Sequence, residues 1–377
     1  MPSLQTAGTG VPALFSQELT EFPSTVHRNI YSAARQLTPL NRSLGSMEEG
    51  ELKDSCKAYH AFMLDMLSDM YENPEAYGLP VHMLEDFLGG RKLNGVKRKE
   101  PAKTEKIRSQ TYNAVNGYQV LLCMLGRNGR LQGNRLEVSP DAMNNIEKRT
   151  STSISPIPLA ARLNALVRVG LKREGGSFVS DRYPNMFAGM CALANSCENM
   201  NSFGYFAFQN LEFRNIGSKY RPTYEDYINP FTAERRAIAG EIDDCARKRK
   251  AKPACNTFWK VDYKYKGGQA MCLENAHGDL IIRVTGTYGW DDPKLINGRL
   301  EQESLEFQRY ILRHLWGCTG CSTSHLGAFA WVLGHKRRVC MGGGIGFRWT
   351  NPGSEDVDAI TRCLEIRCRI IDELKGK

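Results

Sequence analysis

Two cysteines three positions apart, Cys318 and Cys321, open the stretch CTGCSTSHLGAFAWVLGHKRRVC. A Cys-x-x-Cys turn presents two sulfurs to one point, which is half of a tetrahedral zinc site. Downstream donors are His325, His335 and Cys340. The expected ligand set is Cys318, Cys321, His325 and Cys340, with His335 as the substitute for His325 and zinc as the ion. Such a site would staple the end of the chain in place. With one position left open it would instead activate water, and the protein would be a zinc enzyme. Unliganded buried cysteines are a further alternative, because free Cys is among the most buried residue types. A redox pair fits less well. Cys318 follows a helical pattern, and a helix C-terminus does not lower a thiol pKa.

A second set of residues has the chemistry of nucleic-acid contact. Residues 106–194 give a helical pattern to about Leu125, then a turn, then a helix begun by Ser139 with Pro140 at its first position. A third helix follows, with Leu159, Leu163 and Leu166 as its buried stripe and Gly170 closing it. LKREGGSFVSDRY then reads as two short strands around Gly175-Gly176. Helix, helix, helix, hairpin is the order of a winged-helix unit, and the segment resembles that family in order and spacing. The resemblance implies that the third helix enters a major groove. Arg162, Asn164 and Arg168 on that helix, with Lys172 and Arg173 on the hairpin, are then the DNA-binding candidates; Arg182 lies just beyond. Arg and Asn read base edges and Lys holds phosphate. The same solvent face is expected to carry Ala161 and Ala165, which read little.

The remaining elements must position these two sets. Residues 1–46 read as a loosely ordered segment. Residues 47–105 hold one amphipathic helix and a basic linker: Leu52, Cys56, Tyr59, Met63, Met66 and Met70 recur at helical spacing, and Asn73-Pro74 ends the run. This Met-rich stripe is expected to pack in its own domain, with a protein partner as the alternative. Residues 195–256 read as a helical connector; Phe203, Phe206, Asn210 and Phe213 recur at helical spacing, which suits core packing better than a ligand box, and the basic run in CARKRKAKPAC suits a helix end. All five tryptophans fall after residue 256, which marks the C-terminal domain, 257–377. There Trp259, Val261, Tyr263 and Tyr265 alternate onto one face. Two further strands, QAMCLE and LIIRVT, complete an antiparallel meander. Helices are expected over about 302–316 and 355–374, the last with Val357, Ile360, Leu364, Cys368, Ile371 and Leu374 as its stripe. The fold class is therefore multidomain α+β: a helical N-terminal half with a winged-helix-like unit, then an antiparallel meander covered by helices and closed by a Cys-rich knuckle.

The stretch from Cys318 through GFRWTNP to the last helix, with the meander WKVDYKYKGGQAMCL, resembles the C-terminus of a group of uncharacterised bacterial proteins. The likeness covers about the last 120 residues and implies no activity. Relatives often carry a third Cys near the place of His325.

Composition narrows the function classes. The chain has 377 residues, 41% hydrophobic and 24% charged, with a net charge of +9. That permits a polyanionic partner without requiring one. No apolar run reaches the length of a membrane span. No secretory signal is visible at the N-terminus, so the twelve cysteines are expected to be reduced, in the cytoplasm. No phosphate loop, zinc-protease helix, nucleophile elbow or EF-hand is present, and GGGIG reads as tight turns. The leading expectation is a cytoplasmic bacterial regulator of transcription that binds DNA or a protein partner. Its C-terminal domain would bind or sense a ligand between the aromatic walls Trp259, Tyr263 and Trp290. A non-catalytic scaffold is the third reading.

Overall fold

Ser24 begins the helix Thr25–Gln36 by accepting a hydrogen bond from the His27 amide, which satisfies one of the free donors of the first turn. The computed structural model describes Phe15, Leu19 and residues 21–93, 101–150, 157–196, 223–257, 260–276, 279–285, 293–316, 328–339 and 345–376. The fold is mixed α/β with antiparallel sheets. The chain divides into two units, Met1–Pro222 and Thr223–Lys377, each with its own apolar core.

Unit 1 contains α1 (Thr25–Gln36), α2 (Thr38–Gly45), α3 (Glu51–Glu72), α4 (Met83–Leu93) and α5 (Pro101–Asn128). The hairpin β1 (Arg130–Gln132) and β2 (Arg135–Glu137) follows. Then come α6 (Pro140–Thr150), α7 (Leu159–Val167), the hairpin β3 (Leu171–Glu174) and β4 (Ser177–Ser180), and α8 (Met186–Ser196). The Met stripe of α3 goes into the core: Cys56, Tyr59, Met63, Met66 and Met70 are buried and only Leu52 is exposed. Residues 25–45, expected to be loose, are two helices whose Val26, Ile30, Tyr31, Leu40 and Leu44 join the same core. The long helix α5 is central, packing against α1, α4, α6 and α8. Close crossing is possible because α8 carries Gly189 where it meets α3. A Cβ there would stand 2.6 Å from the Cys56 amide nitrogen. The Gly189 amide instead donates to Ser55 Oγ at 2.7 Å.

The expected start of α6 is present: Ser139 Oγ accepts from the Ala142 amide at 3.2 Å, with Pro140 at the first position. The expected β3–β4 hairpin is present too. It is joined by β1 and β2 into a four-stranded sheet of order β1-β2-β4-β3, a hairpin that the sequence had shown only as a turn.

Unit 2 begins earlier than residue 257. It contains α9 (Tyr224–Ile228), α10 (Ala233–Lys248), β5 (Lys252–Thr257), β6 (Lys260–Tyr265), β7 (Gly268–Ala276) and β8 (Asp279–Thr285). After these come α11 (Pro293–Leu300), α12 (Leu305–Arg313), β9 (Ala328–Val332), β10 (His335–Val339), β11 (Gly346–Thr350) and α13 (Val357–Lys375). The segment expected to connect the halves instead supplies core residues: Tyr227, Phe231, Ile238 and Ile242 are buried with the sheet. The five-stranded sheet has the order β11-β8-β7-β6-β5, a meander with the late strand β11 added beside β8. The register Val261, Leu273, Ile282, Trp349 runs straight across four strands. All four are buried, and α10 and α13 belong to the same core. The stripe of α13 is as expected except that Leu374 is exposed. Among the described residues no helix is long and apolar enough to cross a membrane.

Candidate nucleic-acid interface

Helix α7 has five buried or half-buried positions: Leu159, Arg162, Leu163, Ala165 and Leu166. The first, second, third and last of these follow the i, i+3, i+4, i+7 rule of a single helix face. Arg162 is therefore in the core, not beside the solvent face, and the expectation that it contacts DNA is corrected. It is 0% exposed. Its Nε donates to the Ile157 carbonyl at 3.3 Å, and its guanidinium lies 5.1 Å from the Tyr118 ring. Both terminal nitrogens have no hydrogen-bond partner. Desolvation lowers its pKa to about 10. Gly117 on α5 makes room for it, since a Cβ there would overlap the guanidinium.

The other four DNA-binding candidates, Asn164, Arg168, Lys172 and Arg173, are exposed, and α7 packs directly on β3. Two of them are tied to carboxylates. Arg168 grips Asp69 with two bonds, Nε to Oδ2 at 2.7 Å and Nη2 to Oδ1 at 2.8 Å. Burial would raise the Asp69 carboxyl, but the bonds from Arg168, Tyr77 and Asn73 outweigh it and hold the group below the usual carboxylate range. Lys172 Nζ meets Asp181 at 2.6 Å. The same pattern extends around the surface: Arg182 pairs with Asp65 at 2.5 Å and Arg135 with Glu174 at 3.1 Å. Arg173 has no carboxylate partner among the described residues. The face is thus near charge balance, with Ala160, Ala161 and Val167 exposed between the polar groups. A cleft of about 370 Å³ in unit 1 is lined by Glu51, Asp54, Asn134, Asn185 and Phe187.

The expected zinc ligands Cys318, Cys321, His325 and Cys340 lie outside the described residues, as do Trp259 and Trp290. His335 is exposed at the start of β10. Among the described residues no group of three or more His, Cys, Asp or Glu could hold a metal ion. The described cysteines are free thiols. Burial pushes several of them up: Cys56, Cys255 and Cys368 to about 11, and Cys272 to about 12. They behave as small hydrophobes. Tyr263, expected on a ligand wall, is 0% exposed and its hydroxyl donates to Asp243 at 2.6 Å; it belongs to the core.

The sequence reading missed the β9–β10 hairpin. Leu333 and Gly334 both have positive φ, +48° and +75°, which is the two-residue turn that matches strand twist. Ala330 and Val332 face the core, while Phe329 and Trp331 are 68% and 61% exposed. Lys336 pairs in register with Trp331, and Arg338 with Phe329. The Lys336 ammonium lies 4.9 Å from the Phe329 ring. Asn297 of α11 fixes the hairpin, donating to the Trp331 carbonyl at 2.7 Å and accepting from the Leu333 amide at 3.0 Å. The alternation Phe-Ala-Trp-Val before Leu-Gly was the available signal; the flanking cysteines drew the reading to metal chemistry instead.

No protein family, curated protein or solved structure was found to match the chain.

Proposed function

We propose that this chain is a DNA-binding regulator of transcription, contacting duplex DNA through a winged-helix-like segment that runs from α5 to β4. One observation carries the reading: Asn164 on α7, Arg168 at its C-terminal cap, and Lys172 and Arg173 on the adjoining strand β3 are all exposed. In this arrangement α7 enters the major groove, Asn164 and Arg168 reach base edges, and Lys172 and Arg173 hold phosphate. The carboxylates Asp69 and Asp181 compete with DNA for two of these cations, so affinity is modest and strongly salt-dependent. The test is a titration of the full chain with a labelled duplex at several salt concentrations. Replacing Arg168 and Arg173 with Ala should weaken binding and make the salt slope shallower by about two. Unchanged binding in the double variant, or no duplex binding by the parent, contradicts the reading.

A zinc staple is a second reading, favoured by the strand register. Val339 pairs with Ala328, and in the sequence Cys340 directly follows the one while His325 stands three residues before the other. A set of Cys318, Cys321, His325 and Cys340 would act in a structural role. Elemental analysis of protein purified without chelator should find about one zinc per chain. A folded, metal-free preparation would end this reading.

A further inference from the structure

We propose that the outward face of the β9–β10 hairpin is a platform for single-stranded nucleic acid, separate from the duplex-contact surface of unit 1. An alternating strand puts one side of the hairpin in the core and the other in water. The side in water holds two large aromatic residues, Phe329 and Trp331, that bury little of their rings. Two exposed aromatics on one face make an apolar patch rimmed by polar residues, the kind of surface that marks an interaction site. They stand two residues apart on one strand, so their Cα atoms are about 6.8 Å from each other. That is about twice the 3.4 Å rise per nucleotide of a stacked strand, which gives each ring room for one base.

Charge selects the occupant. Lys336 is opposite Trp331 and Arg338 opposite Phe329, and the Lys336 ammonium over the Phe329 ring places cation and aromatic on the same face. Residues 328–339 contain no Asp or Glu, and neither does α11, which anchors the hairpin. Aromatic rings for bases beside cations for phosphates are the components of sequence-tolerant single-strand binding. A duplex hides its base faces and could use only the cations. The hairpin is also preorganised: its turn geometry and the two bonds from Asn297 fix the strand that carries both rings.

The experiment is fluorescence anisotropy of the full chain with labelled oligo-dT of about twelve nucleotides and with a duplex of the same length. The variants are Trp331→Ala, Trp331→Phe, Lys336→Ala and, for the other surface, Arg168→Ala with Arg173→Ala. The expected result is tighter binding of the single strand than of the duplex. Trp331→Ala should lose about tenfold in single-strand affinity and Trp331→Phe much less, as a stacking role requires. Lys336→Ala should make the salt slope shallower by about 0.7. The Arg168/Arg173 pair should weaken only the duplex. These positions are exposed, so folding is not at stake. Equal or tighter duplex binding, or a Trp331→Ala variant that binds single strand as well as the parent, overturns the proposal. So does Trp331-dependent binding to vesicles containing phosphatidylserine with no binding to oligo-dT, which would assign the face to a membrane surface.

Discussion

The α7–β3 surface of unit 1 and the β9–β10 hairpin of unit 2 both present exposed cations and differ in what surrounds them. On the first, Arg168, Lys172, Arg182 and Arg135 each meet a carboxylate within 3.1 Å. On the second, Lys336 lies over an aromatic ring and the local sequence has no acid at all. A cation that already has a carboxylate partner must exchange it for phosphate, and the released carboxylate then repels the ligand. A cation over an aromatic ring can take phosphate without that exchange. Residue type alone therefore does not rank the two surfaces; the neighbours of each cation do.

The largest effect expected from this difference is on the hairpin. Removing both rings, Phe329→Ala with Trp331→Ala, should lower single-strand affinity by about a hundredfold if each ring holds one base, and leave duplex affinity unchanged in the same titration. A smaller effect of opposite sign is expected in unit 1. Asp69→Asn with Asp181→Asn frees Arg168 and Lys172 and removes two repelling charges, so duplex affinity should rise about tenfold at low salt. A fall in affinity would mean that the carboxylates position the cations rather than compete for them.

Arg162 sharpens the contrast within one helix. Arg162→Met keeps an unbranched side chain, shorter than that of Arg162, and removes a buried charge whose terminal nitrogens have no partner. Duplex affinity should stay unchanged and the melting temperature should stay level or rise. A selective loss of DNA binding would return Arg162 to the interface. Unit 1 should also show a pH dependence. His60 is buried, and desolvation lowers its pKa from the ordinary value of 6.5 to about 4. The unfolded chain takes up a proton on this residue below about pH 6.5, while the folded chain stays neutral down to about 4. Stability should therefore fall as pH drops through that window, by at most about 1.4 kcal/mol per pH unit. Denaturant melts at pH 7 and 5 check this, and His60→Phe should flatten the dependence.

Much of the framework was legible from periodicity. The stripes of α3 and α13, the start of α6, the β3–β4 turn and the meander all follow from spacings that depend only on helix and strand geometry. The N-terminal helices were hidden because α1 buries Asn29, Ser32 and Gln36 along with its apolar residues, which breaks up the stripe a sequence reading looks for. The tryptophans all lie after residue 256, whereas unit 2 begins at Thr223. The core of unit 2 is begun by Tyr227, Phe231 and the aliphatic residues of α10. For Arg162 helical phase outweighs charge: its place beside Leu159, Leu163 and Leu166 puts it on the buried face. The pairing of Arg168 with Asp69 joins residues 99 positions apart, and only the fold brings them together.

The most direct measurement is one titration series with two ligands and two variants: oligo-dT and a matched duplex, against Trp331→Ala and the Arg168/Arg173 double alanine. Two independent surfaces predict a crossed pattern, in which the first variant loses the single strand alone and the second loses the duplex alone. Parallel losses on both ligands, or no change on either, would contradict the account.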